Sequence, residues 1–200
     1  MDATKTALVL IGFQNDYFAA DGILRAVIDE TARVSGVLQN TIEVVERLAP
    51  SPVLMVSTPI VFTADYGELK EPVGILKTIK EVGAFREGAP GSQTIQELSR
   101  FGDRILEVPG KRGLNAFSNT DLAAILEARQ ITNVVLAGVV TSICIDSTGR
   151  SAHERGHRVT VLSDCTCGRT LVEQDFYCSE IFPLYADVID RGRLFERLEL

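Results

Sequence analysis

Short, unbroken runs of apolar and often β-branched residues recur along this chain, each followed by a stretch with helical spacing or by a turn. They are Ala7-Leu8-Val9-Leu10-Ile11, Val53-Leu54-Met55-Val56, Arg104-Ile105-Leu106-Glu107-Val108, Val134-Val135-Leu136-Ala137, Arg158-Val159-Thr160-Val161-Leu162 and Ala186-Asp187-Val188-Ile189. The central runs show no polar–apolar alternation, so both faces of such a strand must be buried. That condition is met in a parallel sheet covered by helices on each side. Thr31 to Leu48 has helical spacing (Val34, Val37, Leu38, Ile42, Val45, Leu48) and stops before Pro50 and Pro52. Further helices are expected over Asp121 to Arg129 behind a Thr120 cap, Thr141 to Arg155 ended by Gly156, and Leu171 to Leu184. The pattern predicts an α/β fold with a Rossmann-like, mainly parallel six-stranded sheet. At roughly 150 residues per domain, the 200 residues make one domain, 1–200. Residues 59–91 interrupt the alternation with Pro59, Gly67, Pro72, Gly83, Gly88, Pro90 and Gly91, which predicts a loop-rich excursion.

Charge and composition exclude several classes of function. With 20 Lys and Arg against 27 Asp and Glu, the net charge is −7, and the basic residues are scattered, which disfavours a nucleic-acid partner. No apolar run approaches the ~18 residues of a membrane span. The N-terminal segment has no positive excess, and its apolar run is cut off by Gln14-Asn15-Asp16, so it does not read as a signal peptide. The four cysteines (Cys144, Cys165, Cys167, Cys178) are too sparse for a disulfide scaffold and are expected as free thiols of a cytoplasmic protein.

In a parallel α/β sheet, chemistry is expected at the carboxyl ends of the strands, here the loops after Ile11, Val56, Val108 and Ala137. The loop after Ala137 runs Gly138-Val139-Val140-Thr141-Ser142-Ile143-Cys144, placing Cys144 in a first helical turn. Free backbone N–H groups and the positive helix end can stabilise a thiolate there and receive an oxyanion. A small buried packing residue is the alternative. Lys111, directly after a strand end and Pro109-Gly110, can reach across toward Cys144 and hold a thiolate by charge.

Four ordered segments together resemble the isochorismatase-like cysteine hydrolases, a family that includes nicotinamidases and N-carbamoylsarcosine amidases. They are Gln14-Asn15-Asp16-Tyr17; Lys111 with Ala116-Phe117 and Thr120-Asp121-Leu122; Gly138-Val139-Val140-Thr141 with Cys144; and Ala152-His153-Glu154-Arg155-Gly156-His157-Arg158-Val159 with Ser163-Asp164. The resemblance spans essentially the whole chain and implies a three-layer α/β/α sandwich working through an Asp, a Lys and a Cys. It places the Lys at Lys111, the Cys at Cys144, a cis peptide at Val139–Val140, and oxyanion donors at the N–H groups of Val140 and Cys144. The aspartate position, two residues before Gln14, is Gly12 here. Loss of a general base typically costs ~10²–10⁴-fold, so the resemblance implies impaired turnover, or an inactive member that binds a small carbonyl ligand or a protein partner.

Retention of the cysteine favours acyl transfer on a small amide or ureide over vinyl-ether cleavage. The Asp-X-His metal motif of nicotinamidases has no counterpart in Ser57 to Thr63, so no metal and no cofactor are expected. Candidate substrate contacts are Gln14, Phe18, Phe62, Phe117 and Thr141, with Ile60 as a further apolar wall. The resemblance also implies a homo-oligomer, a dimer or tetramer. His153-Glu154-Arg155-Gly156-His157 matches the zinc-protease pattern, but Gly156 is expected to end the helix before His157. Cys165-Thr166-Cys167 lacks the spacing of a zinc or redox pair, and Cys178 reads as a packing residue.

Overall fold

A computed structural model describes all residues, 1–200. Strands β1 (Thr6–Ile11), β2 (Leu54–Ser57), β3 (Leu106–Glu107), β4 (Asn133–Val139), β5 (Arg158–Cys167) and β6 (Asp187–Ile189) form one parallel sheet in the order β3-β2-β1-β4-β5-β6. The chain builds outward from β1 in one direction, then returns to β4 and builds outward in the other. The reversal lies between β1 and β4, where ligands bind in open parallel sheets.

Alternate residues of β1 face opposite cores, as a doubly covered strand requires. Ala7, Val9 and Ile11 pack with Leu122 and Leu126 of α6 (Leu122–Ala128) and Ala152 of α7 (Asp146–Glu154). Leu8 and Leu10 pack with Val44, Val45 and Leu48 of α3 (Val37–Leu48) and with Leu194, Phe195 and Leu198 of α9 (Arg191–Leu198). The result is a three-layer α/β/α fold. A third apolar cluster caps the carboxyl ends of the strands and draws on the 59–91 excursion through Ile60, Phe62, Tyr66, Leu69, Ile79, Ala84 and Phe85. No helix is long and apolar enough to cross a membrane.

Several expected elements differ in detail. The helix expected from Thr31 to Leu48 is two helices, α2 (Asp29–Ser35) and α3, broken at Gly36, whose φ of +67° no helix interior uses. The excursion holds a helix, α4 (Gly74–Val82), whose Ile75, Leu76, Ile79 and Val82 follow helical spacing, and the one-turn α5 (Gln96–Ser99) follows it. The helix after β4 opens with one wide turn, Thr141–Ile145, in which Ile145 N–H donates to Val140 C=O five residues back. Pro183, lacking an N–H, falls where the expected 171–184 helix degrades from α8 (Leu171–Phe176) into wide and tight turns. The helix α9 was not anticipated, although Asp190 caps it by accepting from Arg193 N–H.

The strand expected over Arg104 to Val108 pairs only at Leu106–Glu107, a short edge strand. Arg104 is occupied elsewhere. Its guanidinium donates to the carbonyls of Leu48, Ala49, Ser51 and Val53 at 2.7–3.0 Å, stitching the end of α3 to the start of β2. Arg104→Ala removes these charged donors and is expected to cost about 1.5–3 kcal/mol. Thermal denaturation checks this at ~2–4 °C per kcal/mol for a chain of this size. An unchanged midpoint would show that water replaces the guanidinium without loss.

Candidate active site

Three loops meet where the strand order reverses. Ile11, the last residue of β1, lies in register with Gly138 of β4, and the two backbones are so close that a Cβ at Gly138 would stand 1.8 Å from the Ile11 oxygen. Gly138 also has φ +129°. Glycine is therefore required there, and it lets β4 deliver the turn carrying Cys144 beside the end of β1. The Val139–Val140 peptide is cis. Val140 C=O accepts from both Ile143 and Ile145 N–H, which fixes the turn around Cys144.

Lys111 enters from the loop after β3. Its side chain is sealed from solvent at 1% exposure, and Nζ stands 3.6 Å from Cys144 Sγ. No carboxylate lies within ion-pair distance of this ammonium, and the sulfur is its hydrogen-bond partner. A buried ammonium is costly without a polar partner, and the sulfur is the group placed to face it. For the other thiols burial outweighs every nearby charge. Burial pushes Cys167 up to about 12 and Cys178 up to about 11, and Cys165 higher still, so they stay protonated packing groups at neutral pH.

Cys144 and Lys111 face a closed cavity of about 10 Å³, room for about one water. Its apolar walls are Ile60, Phe85, Leu114 and Ile143, together with Ile75 and Ile79 of α4. Gly12, Val139 and Tyr17 complete the lining. Lys111 is the one charged group in it. Gly12 has φ +75°, and a Cβ there would meet Val139 O at 2.6 Å and Val139 Cγ2 at 2.9 Å.

Of the residues expected from sequence, Cys144, Lys111, Gly12 and Ile60 converge on this cavity, and Val140 directly follows its wall residue Val139. The five candidate substrate contacts do not line it. Gln14 is a buried clamp: its Nε2 donates to the carbonyls of Ile60 and Ser92, and its Oε1 accepts from Ile60 N–H. It positions the wall residue Ile60. Phe18 stacks on Phe13, with ring centroids 5.3 Å apart. Phe62 is wholly buried behind the wall, 5.8 Å from the Tyr66 ring. Phe117 turns toward the amino end of β5, between the Arg155 guanidinium and the His157 ring. Thr141 is fully buried and donates to Gln174 Oε1. In each case the side chain is held by partners elsewhere in the core or on the backbone.

Sequence reasoning missed Tyr17, Ile75, Ile79, Phe85, Leu114 and Ile143. The signal for Ile75 and Ile79 was their i, i+4 spacing inside a segment dominated by Gly and Pro. His153 faces the Tyr185 ring and His157 the Phe117 ring, so the two histidines do not converge. No group of three or more His, Cys, Asp and Glu residues is arranged to hold a metal ion.

The profile of the isochorismatase domain matches residues 6–192. An isochorismatase family protein of Escherichia coli O157:H7, YecD, is 29% identical over 192 residues, covering 94% of this chain and 93% of its own. The ureidoacrylate amidohydrolase RutB of Cronobacter sakazakii is 26% identical over 175 residues, 81% of this chain and 74% of its own. In structure, a cysteine hydrolase from Pseudomonas syringae pv. phaseolicola 1448A superposes with a TM-score of 0.84 at 20% identity, over 100% of this chain and 94% of the other. A domain match over nearly the full length, on an all-parallel sheet whose order reverses beside a lysine–cysteine pair, makes this chain a member of the isochorismatase family.

Proposed function

We propose that this protein hydrolyses the C–N bond of a small, neutral amide or ureide through a thioester on Cys144, and that Gly12 limits its turnover. The observation that carries the proposal is the sealed Lys111 ammonium 3.6 Å from Cys144 Sγ, with no carboxylate to neutralise it. A lysine serving packing alone would send its charge to solvent. Here the ammonium is spent on a sulfur, the arrangement that prepares a thiolate nucleophile.

The thiolate attacks the carbonyl carbon, the C–S bond forms, and the carbonyl electron pair moves onto oxygen. The N–H groups of Val140 and Cys144 are assigned to that oxyanion. Collapse breaks the C–N bond and releases ammonia or an amine. Water then cleaves the thioester, giving the acid and the free thiolate. The named activity of the ureidoacrylate amidohydrolase relative, C–N cleavage of a ureide, agrees with this class of reaction. The apolar walls and the single cation, already facing the sulfur, favour a substrate without a carboxylate of its own. The cavity holds about one water, so its walls must part to admit a substrate.

A second reading, a binding protein without turnover, draws on Gly12, which leaves the cavity without a carboxylate. Ammonia release from a panel of small amides and ureides separates the two. The expected result is slow turnover that Cys144→Ser reduces at least ~10²-fold, the scale of losing an activated nucleophile. Saturable binding with no release from any of them would favour the binding protein.

A further inference from the structure

We infer that the Tyr17 hydroxyl is the proton donor and acceptor of the thioester cycle, an inference that rests on the amide-hydrolase reading above. Tyr17 lies on α1 (Asn15–Phe18), five residues beyond Gly12, and lines the same cavity as Gly12, Lys111 and Cys144. Its side chain is held by burial, at 6% exposure, and by the Phe85 ring, with centroids 5.2 Å apart. Buried phenols ordinarily find a partner. Tyr66, buried to the same degree, donates to Ala84 C=O at 2.8 Å. The Tyr17 hydroxyl has no such partner in the protein, yet it is not one of the sealed orphan atoms, which are the hydroxyls of Thr31, Thr41 and Thr58. Tyr17 borders this cavity and also a second cleft with Phe18, Ile28 and Leu38, and the influence of the Cys144 and Cys167 thiols on the phenol points its hydroxyl to the cavity side.

No neighbouring carboxylate competes for the role. Asp16 is buried with Oδ2 accepting from Phe85 N–H at 2.6 Å, and its carboxyl packs against Gly91, where it has a structural task. Burial first, and then the Cys144 and Cys167 thiols and Asp16, push the Tyr17 phenol well above its ordinary value. It is protonated at neutral pH, and its conjugate base, once formed, is strong enough to take a proton from water.

The steps balance. After thiolate attack, the C–N bond breaks as the leaving nitrogen takes the Tyr17 proton, leaving a phenolate within the cavity that holds the Lys111 ammonium. A water then bonds to the thioester carbon while its proton passes to the phenolate. The C–S bond breaks, and both phenol and thiolate are restored.

Tyr17→Phe tests this, because it removes one oxygen that bonds nothing in the free protein and so keeps the fold. Two readouts are needed: iodoacetamide alkylation at Cys144, and ammonia release from propionamide and isobutyramide. The inference predicts unchanged alkylation, unchanged KM, and a kcat lower by ~10²–10⁴-fold. Equal kcat in the two forms, or a loss confined to KM, would overturn it. So would rapid alkylation of Cys144 in a parent protein that releases no ammonia, a result that leaves the lysine–cysteine pair intact. Slow alkylation that ignores Lys111 would instead defeat the amide-hydrolase reading, and the Tyr17 role with it.

Discussion

Lys111→Met is expected to slow iodoacetamide capture of Cys144 at pH 7 by about 30-fold while leaving the protein as stable as before or more so. Opposite charges about 4 Å apart attract by roughly 4 kcal/mol at an effective dielectric of 20. If desolvation offsets half of that, loss of the ammonium removes about 2 kcal/mol of stabilisation from the anionic sulfur as it attacks, a factor of about 30 in the rate of capture. The stability change runs the other way. Methionine has a similar reach and no charge to bury, and the sulfur left beside it is a neutral thiol, so no unpaired charge remains in the core and the exchange is neutral or stabilising. Reactivity down with stability level or up is the signature of a group placed for chemistry. Peptide mapping after alkylation reads the first effect, with Cys165, Cys167 and Cys178 as unreactive internal controls, and thermal denaturation reads the second. A variant that loses stability and keeps its alkylation rate would make Lys111 a structural residue.

Gly12→Asp carries the second large effect. By resemblance this substitution restores a missing carboxylate, but the backbone does not simply accept it. At φ +75° a residue other than glycine costs ~1–3 kcal/mol. The new Cβ would also meet the Val139 carbonyl oxygen at 2.6 Å, and that carbonyl belongs to the sheet and cannot step aside cheaply. The expected result is a loss of about 2–4 kcal/mol, a midpoint lower by ~2–4 °C per kcal/mol, with no gain in ammonia release. A Gly12→Asp protein of unchanged midpoint and faster turnover would show that the backbone flips to a negative φ and lets the carboxylate take the vacant place without strain.

The sheet was legible in the sequence because its central strands are buried on both faces and so cannot alternate. Ala7 to Ile11 and Val134 to Ala137 carry that signal with no polar interruption. Element ends were less legible. Gly36 splits one apparent helix, Arg104 leaves an apparent strand to bind carbonyls, and α4 hides among glycines and prolines, because tertiary partners override local pattern. The lysine–cysteine contact could be read from position: a cysteine opening a helix after one strand and a lysine after another reach each other when the sheet order places those strand ends together. The walls could not. Phe18 and Phe117 have the composition of a pocket, but aromatic size draws a side chain to any available core, and only packing decides which. Tyr17 went unnoticed because its meaning lies in what it lacks, a partner for its hydroxyl, and no spacing encodes that.

Intact-mass measurement after denaturing quench of the protein with isobutyramide is the most direct test of a lysine-held cysteine acting as nucleophile. An isobutyryl adduct on Cys144, absent from Cys144→Ala and diminished in Lys111→Met, is the predicted result. Ammonia release persisting in Cys144→Ala, or an adduct mapped to any other residue, would contradict it.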